Sequence, residues 1–181
     1  MGKYSIILAD PPWEYETWSE KGAGRSTCQH YDTMTLGEIC KLDVGSLAAN
    51  NCALFLWAVW PSIFDAQRVA EEWGFRYATR AWVWVKTKKH GFGIRMGMGN
   101  YTRANTEPCL LAVRGKMPVA VHDEMALIYS PVRAHSRKPD EQYTKIARLY
   151  PEERRLELFA RRTWPGWDVW GNEVESDVRL G

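Results

Sequence analysis

The sequence has no CxxC pair, no large excess of either charge, and no apolar run long enough to cross a bilayer. Its four cysteines, Cys28, Cys40, Cys52 and Cys109, stand apart from one another. Cys28 and His30 are close neighbours, but no second Cys/His pair completes a tetrahedral zinc site, so no metal is expected. Isolated thiols of this kind read as free or structural. Met1 to Ser5 is followed by a short apolar run that ends in Asp10, too short for a signal-peptide core or a membrane span. Reduced thiols in a cytoplasmic protein, with no membrane partner, are therefore expected. Repeats, low-complexity tracts and linkers are also missing, so one domain is expected over residues 1–181. Twenty-four Lys and Arg against 22 Asp and Glu leave a net charge of +2, so any basic surface must be local.

What the chain does have is apolar runs of strand length. Residues 4–9 (YSIILA), 52–59 (CALFLWAV) and 156–160 (LELFA) are continuous, as in strands buried on both faces of a parallel sheet. Residues 78–86, 107–115, 125–130 and 167–172 read as further strands. Residues 61–74 form a helix: Pro61 suits its first turn, Ile63, Ala66, Val69, Ala70 and Trp73 recur at helical spacing, and Gly74 stops it. Residues 138–150 form another, with Pro139 at its start and Lys145 and Arg148 late. Residues 35–50 tend to helix but break near Asp43 and Gly45. Strands alternating with helices imply an α/β domain with a mostly parallel sheet. Ligands of such sheets bind beyond the carboxyl ends of strands, near the switch in strand order.

The stretch Asp10-Pro11-Pro12-Trp13 follows the first strand directly. Proline carbonyls that enter no helix or ladder are free to accept from a ligand. Asp10 offers a carboxylate beside them. Trp13 offers a flat face on which a base can stack for roughly 1–3 kcal/mol. Two acceptors suit a planar amino group, which carries two N–H donors. A plain turn with a packed tryptophan explains the four residues equally well. Most of the ten tryptophans are expected to pack, with Trp13 alone taken as functional.

In the order ADPPW, FLWAVWPSIFDAQRVAEEWGFRY, AWVWVKT, GNYTRANTEPCLLAVRGK and SPVRAHSRKPDEQYTKIARLYPEERRLELFARRTWPGWDVWGNEV, the chain resembles the MT-A-seventy family. That family contains the catalytic subunit of the eukaryotic messenger-RNA N6-adenosine methyltransferase and DNA-methylating phage and bacterial relatives. The match runs over roughly residues 6–174 and looks closest to short phage-type members. The resemblance implies a Rossmann-like methyltransferase sheet in permuted order, the DPPW strand first and the cofactor-loop strand near the end. Such sheets usually hold seven strands, one of them antiparallel.

The resemblance also implies S-adenosyl-L-methionine as cofactor and an adenine N6 amino group in DNA as acceptor. Asp10, Pro11, Pro12 and Trp13 then form the catalytic cradle, with Tyr15 at the edge of the base. Lys138 matches the family lysine that reaches the methionine carboxylate. Asp10, Phe159, Arg161 and Thr163 are expected around the cofactor, and Asn172 and Glu173 at its ribose. Glu107 matches an acid near the adenine pocket.

Residues 86–103 (KTKKHGFGIRMGMGNYTR) are the most basic stretch. GFGIRM lacks the third glycine of a dinucleotide fingerprint, and no helix follows. The stretch is better read as a substrate grip, with Lys86, Lys88, Lys89, Arg95 and Arg103 on phosphates. A second grip is expected around Lys21, Arg25 and His30. RNA as substrate, a non-catalytic nucleic-acid-binding partner and a small-molecule methyltransferase are the competing readings. Sequence choice is expected from loops, a second subunit or another protein. A homodimer is expected, since one small domain offers little surface for wrapping DNA.

Overall fold

The computed structural model describes residues 3–14, 33–90, 92–99, 101–133 and 137–180. Seven strands form one sheet: β1 (Tyr4–Ala9), β2 (Ala48–Trp57), β3 (Arg76–Thr87), β4 (Thr106–Arg114), β5 (Leu127–Pro131), β6 (Arg155–Leu158) and β7 (Trp167–Trp170). Their spatial order is β5-β3-β4-β2-β1-β6-β7. β1 runs parallel to β2 and β6, β6 to β7, and β3 to β5, while β4 lies antiparallel to both β2 and β3. The helices are α1 (Leu36–Lys41), α2 (Val44–Leu47), α3 (Ile63–Glu72) and α4 (Glu141–Leu149).

The first strand thus enters the middle of the sheet. Its alternation of side chains divides the core in two. Ile7 and Ala9 join Ile39 of α1 and Ala66, Val69 and Ala70 of α3 on one face. Ile6 and Leu8 join Tyr143 and Ile146 of α4 on the other. Both faces are covered, which is why the strand reads as an unbroken apolar run. The chain leaves β1 towards β2 and later returns to β1's other edge as β6. The switch in strand order therefore falls between the carboxyl ends of β1 and β6, where an open α/β sheet leaves a crevice.

The break expected in residues 35–50 lies at Leu42 and Asp43, whereas Gly45, expected to share in it, sits inside α2. Thr35 caps α1 through a reciprocal Thr35–Glu38 capping box, and Asp43 caps α2 by accepting from Ser46 N–H. Among the described residues no helix is long and apolar enough to cross a membrane.

Candidate active site

Asp10 follows the last residue of β1 at the crevice. Lys138, three residues ahead of α4, donates its ammonium to Asp10 Oδ2 at 2.7 Å and lies 3.5 Å from Glu107 Oε2. Glu107 also holds Lys86 Nζ in a short ion pair. The reversal of β4 explains how Glu107 gets there. Because β4 is antiparallel, its first residues lie at the edge where the parallel strands end. Lys138 and Glu107 are each only about a tenth exposed along their side chains. Burial works against both charges, but the two partners outweigh it. Lys138 is held above the usual lysine range by Asp10 and Glu107, and Glu107 below the usual carboxylate range by Lys138 and Lys86. The Lys138 ammonium also stands 5.6 Å over the Trp57 ring.

A cavity of about 310 Å³ opens beside this chain of charges, lined by Asp10, Trp57, Lys138, Glu157, Phe159 and Arg161 among others. Glu157 points to the α4 face, since it pairs with Leu8 in register. It accepts from Tyr143 Oη at 2.9 Å. Burial pushes its carboxyl up to about 7, with the nearby Asp10 charge adding to the effect and the Tyr143 hydrogen bond opposing it. Phe159 leaves β6 in the left-handed region at φ 61°, unusual for a residue with a side chain. At the cavity wall Asp140 accepts from Arg133 at 2.5 Å, from Arg137 at 2.8 Å and from Arg162 in a shorter contact. Burial opposes its charge, but three guanidiniums around one carboxylate hold Asp140 below its ordinary value. The surplus positive charge of the cluster faces the cavity.

The structure brings together Asp10, Lys138, Glu107, Phe159, Arg161 and Glu173, with Arg161 Nε 3.7 Å from Glu173 Oε1. Thr163 and Asn172 are exposed and stand outside the cavity lining. Tyr15 lies outside the described residues, as do Lys21, Arg25 and His30. Lys88, Lys89, Arg95 and Arg103 are exposed on the segment between β3 and β4. Lys86 differs from the expectation of a phosphate grip: its ammonium is engaged by Glu107 and lies over Trp84.

Two features of the cradle also differ from what the sequence suggested. The proline carbonyls are not idle: Pro11 O accepts from Trp13 N at 2.9 Å and Pro12 O from Met34 N at 3.0 Å. Each keeps one lone pair for a second donor. Trp13 is no open stacking plate. It is 6% exposed, packs in the α1–α3 core, and donates its indole N–H to Trp57 O at 2.9 Å. The tryptophan that lines the cavity, beside Tyr143 and Phe159, is Trp57, whose indole N–H donates to Gln142 Oε1 at 2.7 Å. Glu157, Gln142 and the arginines around Asp140 escaped sequence reasoning. Glu157 is the one with a visible signal, a lone acid inside an apolar strand.

Residues 4–173 match the MT-A70 family profile. The chain belongs to the MT-A70 family. Its α/β sheet with one antiparallel strand has the Rossmann-like form of that family's methyltransferase fold. Among its relatives, the type II methyltransferase M.MunI of a Mycoplasma species is 33% identical over 192 residues, covering 97% of this chain and 79% of that protein. A putative N(6)-adenosine-methyltransferase MT-A70-like protein of Medicago truncatula is 34% identical, covering 99% of this chain and 28% of the relative. The human N(6)-adenosine-methyltransferase catalytic subunit METTL3 is 31% identical, covering 97% of this chain and 29% of the relative. The chain thus spans most of the Mycoplasma protein but under a third of the plant and human ones.

Proposed function

We propose that this MT-A70 member transfers a methyl group from S-adenosyl-L-methionine to the N6 amino group of adenine in DNA. The observation that carries the reading is the Asp10–Lys138–Glu107 chain at the carboxyl end of β1, directly beside the 310 Å³ cavity. The cavity's side chains match the groups of the cofactor. Lys138 and Arg162 suit a carboxylate, Glu157 an ammonium, Glu173 a ribose diol, and Phe159 a flat base. Bound S-adenosylmethionine supplies the electrophilic methyl group.

The rest is done by the chain. Asp10 and the second lone pair of the Pro11 carbonyl accept the two N6–H donors and so orient the nitrogen lone pair. Positioning of this kind contributes up to about 7–11 kcal/mol. As the N–C bond forms and the S–C bond breaks, positive charge grows on N6, and Asp10 Oδ takes the departing proton. Lys138 sets the orientation of Asp10 beforehand. DNA is favoured by the coverage of the type II methyltransferase relative. RNA is the second reading, because the plant and human relatives are named for adenosine.

The test is methyl transfer from labelled cofactor to matched duplex DNA and RNA, with the product nucleoside identified by mass spectrometry. N6-methyladenine in DNA is expected. Asp10→Ala is expected to lose at least a hundredfold in turnover while staying folded, because Lys138 keeps Glu107 as a counter-charge. Label in RNA alone would overturn the substrate, and full activity of Asp10→Ala would overturn the cradle.

A further inference from the structure

The segment between β3 and β4 carries a feature that phosphate binding leaves unused. Phe92, Ile94, Met96 and Met98 are 87%, 49%, 74% and 55% exposed, and Tyr101 is 97% exposed. Four of these apolar side chains fall at every second position. The residues between them are Gly93, Arg95 and Gly97, with Gly99 next.

The spacing is built rather than accidental. Lys88 N donates to Gly93 O at 3.0 Å and Arg95 N to Lys86 O at 2.8 Å, which closes a hairpin with Phe92 near its tip. A Cβ on Gly97 would lie 2.1 Å from Ala104 O, and one on Gly99 1.8 Å from Thr102 O. The glycines therefore let the returning backbone close tightly, and the side chains between them are turned to solvent. Lys86 N also donates to Asn105 O at 2.9 Å, so the segment is anchored next to Lys86 and Glu107 at the rim of the site.

An exposed apolar ridge usually signals a partner. The surroundings select which one. No acidic residue occurs between Lys86 and Thr106, and Lys88, Lys89, Arg95 and Arg103 are exposed around the ridge. A polyanion with apolar interior surface fits this mixture, and base-paired DNA is one. Phe, Ile and Met are side chains that proteins insert between base steps, and methionine adapts its shape to irregular gaps. An adenine inside a duplex must leave the stack before Asp10 can reach its N6.

We propose that the Phe92–Ile94–Met96–Met98 ridge is a wedge that enters the base stack of duplex DNA and holds the target adenine outside it. The proposal rests on DNA as substrate. The cations around the ridge bind the strands, and the apolar side chains take the place the base has left. A single strand needs no such wedge.

The experiment compares methyl incorporation into unmethylated, amplified genomic DNA, used as duplex and after heat denaturation. Genomic DNA contains any short recognition site. The Met96→Ser/Met98→Ser protein is expected to lose about tenfold or more on duplex and to stay within about twofold of wild type on denatured DNA. Its cofactor affinity is expected to be unchanged. Phe92→Ser repeats the test if the double variant fails to bind cofactor. Equal losses on both substrates would make the ridge a simple grip and overturn the wedge, as would no loss at all. Wild-type activity on denatured DNA alone would overturn the wedge and leave DNA as the substrate. Wild-type inactivity on both would remove the substrate reading and the wedge together.

Discussion

Glu157 shows how one side chain at this site ties chemistry to stability. Its carboxyl titrates near 7 in the folded chain, against 4.5 for an ordinary glutamate, chiefly because it is buried. Between those two values the folded protein binds more protons than the unfolded chain. Stability is therefore full below about pH 4.5 and falls as pH rises through 7, by about 3 kcal/mol. Urea denaturation at pH 5, 6, 7 and 8 is expected to show that decline in the wild type and a much flatter profile in Glu157→Gln. An equal slope in both proteins would overturn this account. The same pH range matters to function, since an ionised Glu157 suits an ammonium in the cavity and a protonated one does not. At this scale the sequence is legible only in part. Asp10 and Lys138 stand out by motif, but nothing local shows that they touch. The motif singled out Trp13, which follows β1, over Trp57, which ends β2, because sequence shows neither residue's burial. Burial and the Trp13–Trp57 hydrogen bond settle which ring lines the cavity.

Elements are more legible than contacts, because period and punctuation act over many residues. β1 was expected at 4–9 and is found there, while β2 and β3 run several residues beyond their apolar centres into exposed positions. Gly74 stops α3 as expected, and the structure supplies the mechanism. Gly74 N donates to Glu71 O and Phe75 N to Ala70 O, the paired bonds of a Schellman motif, with Gly74 at φ 82°. Arg114 at the end of β4 then locks this turn. Its guanidinium donates to the carbonyls of Gly45, Trp73 and Gly74 at 2.9, 2.9 and 3.1 Å. A Cβ on Gly74 would meet Arg114 Nη2 at 2.4 Å. Gly74→Ala therefore combines left-handed strain with displacement of Arg114, and a loss of about 2 kcal/mol or more is expected in urea denaturation. Turnover per folded molecule should not change, because the turn lies at the opposite end of β4 from Glu107. Unchanged stability would show that Arg114 has an alternative seat. The direction of β4 is what could not be read from its sequence. A strand buried on both faces looks alike in either direction, yet that reversal brings Glu107 to Lys138.

Over the whole molecule the near-neutral charge conceals an uneven distribution. The net charge is only +2, but many of the acids are already partnered. Asp10 and Glu107 face Lys138, Asp140 faces three arginines, and Glu124 faces Lys145 and Arg148. Those pairs neutralise one another locally and contribute little at long range. The loop between β3 and β4 is different, because Lys88, Lys89, Arg95 and Arg103 stand exposed in a stretch without acids. If these four cations meet phosphates of duplex DNA, their counterion release gives a slope of about −3 to −4 in log affinity against log salt concentration. Raising salt from 50 to 200 mM would then weaken binding about a hundredfold. Fluorescence anisotropy with a labelled duplex measures it, and Lys88→Gln/Lys89→Gln is expected to reduce the slope by about 2. Lys86→Gln should leave the slope unchanged, because that ammonium is engaged by Glu107. A flat salt response in the wild type would place the DNA contact elsewhere. An equal change from Lys86→Gln would mean that Lys86 leaves Glu107 when DNA binds, which couples the loop to the charges that orient Asp10.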